Sequence, residues 1–230
     1  MRFPLPDAPP GLLLPALTSP AALCRWWDPD AEVVGARLSP GLDGPTLAVR
    51  ITGEGVTWEG ESVRARFDLA AGAVTLDAEG LDADSRADLA AGWELALAAL
   101  AWSLTDPRGV RWLRIDVPVA LAYADAWSRI AGPEGLAGGG APEGSAVRVR
   151  IAGTGYDARV VLQRPPRAVS LVLPALDGAL LRLQIGPGES VNAARLELLL
   201  GGDAPLPDGW EPWLAKRFGM SWVAQLGEDG

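Results

Sequence analysis

The chain has no histidine, a single cysteine and a single lysine in 230 residues, and each shortage excludes something. Histidine is the side chain that titrates nearest neutral pH, so its absence removes the usual proton-transfer group of hydrolases. Cys24 alone can form neither an intrachain disulfide nor a cysteine cluster for a metal. A zinc site would have to be built from carboxylates only, so no metal or cofactor is expected. The formal net charge is −9, the arginines are scattered and Lys216 is the only lysine. The basic face that nucleic acid or an anionic membrane surface requires is therefore not expected. The opening "MRFPLPDAPPGLLLPAL" is broken by prolines and lacks a small-x-small cleavage site, so it does not read as a secretory signal. The apolar stretch from Leu89 to Leu104 contains Glu94 and reads as too short to cross a bilayer. These features lead us to expect a cytoplasmic protein.

What is present is core material. Apolar residues make up 49% of the chain and tryptophan occurs ten times, enough for one large or two ordinary domains. Two landmarks favour two. Gly92-Trp93-Glu94 recurs 117 positions later as Gly209-Trp210-Glu211, each time opening a Leu-bearing segment. Earlier, "TSPAAL" (Thr18–Leu23) is echoed by "AGPEGL" (Ala131–Leu136), with Pro133 lying 113 positions after Pro20. Two landmarks in one order at nearly one shift predict a tandem repeat, with domains over 1–107 and 108–230. "TDPRG" (Thr105–Gly109) between them reads as a compact turn.

Each half reads as an edge strand, a short helical pair, a series of strands and a long helix. Val63, Ala65 and Phe67 alternate with Arg64, Arg66 and Asp68; Leu47, Val49 and Ile51 repeat the pattern. In the second half Val147, Val149 and Ile151 alternate with Arg148 and Arg150, and Leu181, Leu183 and Ile185 with Arg182 and Gln184. Period-two alternation between turn residues predicts antiparallel meanders with one wet face. The wet arginines and the carboxylates Glu59 and Glu61 read as solvated charge. In the first long helix Trp93, Leu97, Leu100 and Leu104 form one stripe, while Leu95 and Trp102 lie roughly opposite. An apolar second face predicts burial on two sides, against the other half or another subunit. "AGGGAPEGS" (Ala137–Ser145) has no following Gly-Lys-Ser/Thr and reads as a loop, not a phosphate cradle. "AGTGYD" (Ala152–Asp157) reads as a hairpin turn.

The segment "PPGLLLPALTSPAALCRWW" resembles the opening of the SRPBCC superfamily, whose fold is called START-like or helix-grip. The narrower likeness is to the branch of the co-chaperone that activates the heat-shock ATPase. Ala16-Leu17-Thr18, Pro20, Leu23, Trp26-Trp27, Gly92-Trp93, Leu97 and Leu100 carry it. The second half lacks the paired tryptophans but keeps "VVLQRPPRAVSLVL" (Val160–Leu173), similar to a strand, Pro-Pro-Arg turn and strand of that family. The resemblance implies an α+β fold: two tandem helix-grip domains, each a curved antiparallel sheet around a long C-terminal helix, the second copy degenerate. The short first half implies a missing strand or short hairpins there.

Such a fold often encloses an apolar cavity. In the first half Trp27, Trp58, Phe67, Trp93 and Leu97 are the lining candidates. In the second they are Tyr156, Val160, Leu171, Leu183, Trp210 and Leu214, with the Tyr156 hydroxyl as a polar handle. Simple core is the competing reading of both sets, as sheet cap and domain seal are for Trp26-Trp27 against a cavity lid. The resemblance implies non-enzymatic binding of an apolar small molecule, lipid-like or aromatic. A protein-interaction module like the ATPase-activating co-chaperone, or a cyclase-like enzyme, are its alternatives. The expected partners are that ligand, the other half through Leu95 and Trp102, and a second copy in a homodimer.

Overall fold

Proline places the first helices. In the computed structural model α1 spans Pro10–Thr18 and α2 spans Pro20–Trp26, each beginning on a proline whose missing N–H costs nothing in a first turn. The structure describes residues 1–28, 30–39, 46–105, 112–119, 121–132, 140–187, 194–202 and 208–218. The chain divides into two units, Met1–Arg108 and Gly109–Gly230.

In the first unit the strands are β1 (Arg2–Pro4), β2 (Glu32–Val34), β3 (Arg37–Ser39), β4 (Leu47–Ile51), β5 (Gly55–Glu59), β6 (Val63–Asp68) and β7 (Ala73–Ala78). They form one antiparallel sheet in the order β1-β7-β6-β5-β4-β3-β2. Register puts Val49, Trp58, Ala65 and Leu76 in one cross-strand row, and Val56, Phe67, Val74 and Phe3 in the next. Except for half-buried Val49, these residues are buried. The opposite face is charged: Glu59 lies between Arg50, at 3.2 Å, and Arg64, and both arginines are exposed. The arginine rows are thus a solvated, ion-paired face. The missing-strand alternative fails and the short-hairpin one holds: the first sheet has seven described strands, none longer than six residues.

Helix α3 (Ala83–Thr105) follows. At 23 residues it reaches the length and apolarity of a membrane-crossing helix, a correction to the expectation drawn from Leu89–Leu104. It is nevertheless the core helix of its unit, with Trp93, Leu97 and Leu100 buried, and Leu95 buried as well. Trp102 is half-buried. Ring contacts of Trp93 with Trp58 and Phe67 put α3 across the sheet's inner face.

The second unit contains β8 (Trp112–Val119), α4 (Tyr123–Ala131), β9 (Ala146–Ile151), β10 (Thr154–Arg164), β11 (Ala168–Leu173), β12 (Ala179–Pro187), β13 (Ala194–Gly201) and α5 (Trp210–Phe218). Its antiparallel sheet runs β8-β13-β12-β11-β10-β9. In both units the first strand lies beside the last, and the others follow in descending order. The β9–β10 hairpin turns at Ala152-Gly153, both at positive φ, as a two-residue loop requires. Residues 140–145 of the glycine-rich segment fold back on β10, with Gly144 N donating to Val160 O and Glu143 holding Arg164. "TDPRG" lies outside the described residues beyond Thr105.

One expectation needs correction here. The supposed wet face of β11 and β12 is closed: Ala168, Ser170, Leu180 and Arg182 are all buried. Ala168–Leu173 and Ala179–Leu181 are almost continuously apolar, the pattern of strands covered on both faces rather than one.

Each unit is therefore α+β, an antiparallel sheet followed by a helix: α3 crosses the inner face of the first sheet, and α5 packs beside α4 and gives Phe218 to the second core. An antiparallel sheet followed by a helix after its last strand is the element arrangement of a helix-grip fold.

Candidate functional site

Four of the five candidates in the first unit meet in one aromatic cluster. Trp58 and Phe67 project from β5 and β6, Trp93 from α3, and Trp27 closes the C-terminal end of α2. Trp58 lies with ring centroids 4.7 Å from Phe67, 5.0 Å from Trp27 and 6.2 Å from Trp93. Trp93 lies 4.9 Å from Trp27 and 6.0 Å from Phe67. Leu97 stands one helical turn beyond Trp93 and is buried. Trp26, outside the lining set, completes the cluster at 5.5 Å from Trp27 and stacked 5.9 Å from Trp58. Edge-on and tilted geometries dominate, as the ring quadrupoles favour.

Two of these rings are tethered. The Trp26 indole donates to Ala16 O at 2.8 Å and the Trp58 indole to Leu17 O at 3.2 Å. Both carbonyls sit in the last turn of α1, where helix carbonyls lack intrahelical partners. For Ala16 the reason is specific: the residue four places on is Pro20, which has no N–H to give.

In the second unit Val160, Leu171 and Leu183 are core residues, and half-buried Tyr156 and Trp210 pack against that core. Leu214 belongs to α5, but its side chain lies outside the described residues. The sequence reading missed Tyr123, Trp127 and Trp213, which pack on the same core. The Tyr123 hydroxyl donates to Ile185 O at 3.1 Å. Its signal was available: Tyr123, Trp127 and Ile130 share one face of α4 at helical spacing.

A hollow of about 600 Å³ opens elsewhere, at the end of the β5–β6 hairpin, where Glu59, Glu61, Arg64, Asp77, Glu79 and Arg86 line it with the Met1 ammonium group. That ammonium donates to Leu76 O at 2.7 Å. Arg64, through its hydrogen bond and charge, holds the Glu59 carboxyl below the usual carboxylate range. Glu59 in turn raises the Arg64 guanidinium. Burial, reinforced by Asp28, pushes the Cys24 thiol up. Among the described residues no group of three His, Cys, Asp or Glu side chains is placed to hold a metal.

No protein-family model and no curated protein matches the chain. Among solved structures it is similar to DynU16, a putative protein of the dynemicin biosynthetic locus, at 20% identity over 95% of this chain and 92% of that one, with a TM-score of 0.37. It is also similar to the Aha1 dimer of Colwellia psychrerythraea, at 15% identity over 46% of this chain and 87% of that one, with a TM-score of 0.36. A norcoclaurine synthase of Thalictrum is matched at 12% identity over 46% of this chain and 80% of that one, with a TM-score of 0.31.

Proposed function

We propose that the first unit binds an apolar small molecule of aromatic character at its tryptophan cluster, without catalysing a reaction. The observation that carries this reading is the concentration of five aromatic rings between the sheet's inner face and the helices, one of them, Trp27, only half-buried. A wall of rings with few polar groups suits flat apolar molecules and orients them by stacking. Titrating the full chain with 2-naphthol, read by heat and by tryptophan fluorescence, tests it. A saturable one-to-one isotherm is expected, and no saturable binding would refute it.

A second reading is favoured by the same packing seen differently. Rings in mutual contact fill the space a ligand would take, as in a module that acts through its surface. Under either reading the chain is proposed to be a duplicated helix-grip protein of domains 1–107 and 108–230, working in the cytoplasm. The apolar second face of α3 motivates the proposal that Leu95 and Trp102 serve pairing of the halves or of two copies. Changing Trp102 to Glu would then alter stability or oligomeric state, which sedimentation reads directly.

A further inference from the structure

The three rings around Trp27 form a cage, and its occupant is the chain itself. Trp26, Trp58 and Trp93 approach the Trp27 ring to 5.5, 5.0 and 4.9 Å, at interplanar angles of 70°, 75° and 52°. Contact with several aromatic faces and edges is how a protein holds a planar aromatic guest. Trp27 differs from two of the three cage walls in its attachment. Trp26 and Trp58 are tied through their indole N–H groups to α1, whereas the Trp27 indole hydrogen-bonds no described residue. Trp27 is also half-buried and stands at the very end of α2, where its backbone N–H already closes the helix on Leu23 O at 2.8 Å. Rotation about its side-chain bonds would therefore vacate the cage without breaking a hydrogen bond to any described residue.

We infer that Trp27 is a built-in surrogate ligand: its indole occupies the cage in the resting chain, and a fused planar aromatic molecule of similar size binds by displacing it. This inference rests on the first reading above and gives that site a ligand class and a gate. Competition between tethered indole and free ligand sets the affinity. A site open only a fraction of the time binds more weakly by that fraction, so removing the surrogate should raise affinity. An apolar hole left by trimming a buried side chain stays dry and accepts an aromatic guest of fitting size.

The test compares the full-length wild type with Trp27→Ala and Trp27→Leu by calorimetric titration with 2-naphthol, and by thermal unfolding with and without free indole. Trp27→Ala is expected to bind about tenfold or more tightly than wild type, consistent with a site that is mostly self-occupied. Free indole should raise its unfolding temperature while leaving that of the wild type almost unmoved. Trp27→Leu keeps apolar bulk in case the alanine variant fails to fold, and it should fall between the two. Equal affinity in wild type and variants would overturn the gate and leave apolar binding standing. Binding by none of the three would overturn both readings.

Discussion

The indole N–H of Trp26 reaches back ten residues to the carbonyl of Ala16 at 2.8 Å, inside the first core. It supplies the donor that Pro20 cannot, so the α1–α2 corner depends on a side chain rather than on the helix ladder. Trp26→Phe keeps a ring but strands a buried carbonyl, and should cost about 1–3 kcal/mol. Trp26→Ala also empties the space and should cost about 3–5 kcal/mol. Urea unfolding of the two variants reads the difference.

Gly55 is needed for want of room. A Cβ there would lie 1.9 Å from the carbonyl oxygen of Phe67 on the neighbouring strand, and that atom is backbone. Gly55→Ala should force β5 and β6 apart and destabilise by at least about 1–3 kcal/mol. Because Phe67 moves with its backbone, tryptophan fluorescence of the cluster should change even in the folded variant.

Ser170 makes the opposite case. Its hydroxyl is buried without a hydrogen-bond partner among the described residues, across the strands from buried Arg182. Leaving a donor unsatisfied costs stability, so Ser170→Ala should be neutral or stabilising by up to about 1 kcal/mol. A loss larger than that in denaturant unfolding would show that the hydroxyl is engaged.

Asp82 starts α3. Its carboxylate accepts from the Ser85 amide at 2.7 Å, and that hydrogen bond holds its carboxyl below the ordinary range. A lowered folded value means stability that is present above the unfolded value and lost as pH falls through the folded one. Wild type should therefore lose stability on acidification faster than Asp82→Ala, the gap between them closing in acid. Denaturant midpoints measured down through the carboxylate range check the convergence.

Much of the first site was legible. Phe67 follows from period-two alternation, and Trp93 and Leu97 from helical spacing, because each signal is local. The cage around Trp27 was not, since it depends on how α2 meets α3 and β5 across long sequence distances. Nor was the closure of the second face of β11 and β12. Alternating Arg182 and Gln184 looked wet, while adjacent Leu180 and Leu181 already pointed to both faces. The charged hollow at the β5–β6 end escaped because hairpin-end geometry leaves no periodic trace. Tyr123 and Trp127 were overlooked although α4 is strongly two-sided.

The central claim is that the tryptophan cluster takes an apolar aromatic guest, and mass measurement meets it most directly. Full-length protein incubated with 2-naphthol would be weighed under native and then denaturing conditions. The account predicts a single adduct per chain in the native spectrum, lost on denaturation and more populated in Trp27→Ala. The bare chain mass for both proteins in the native spectrum, at ligand concentrations that saturate other apolar sites, would contradict it.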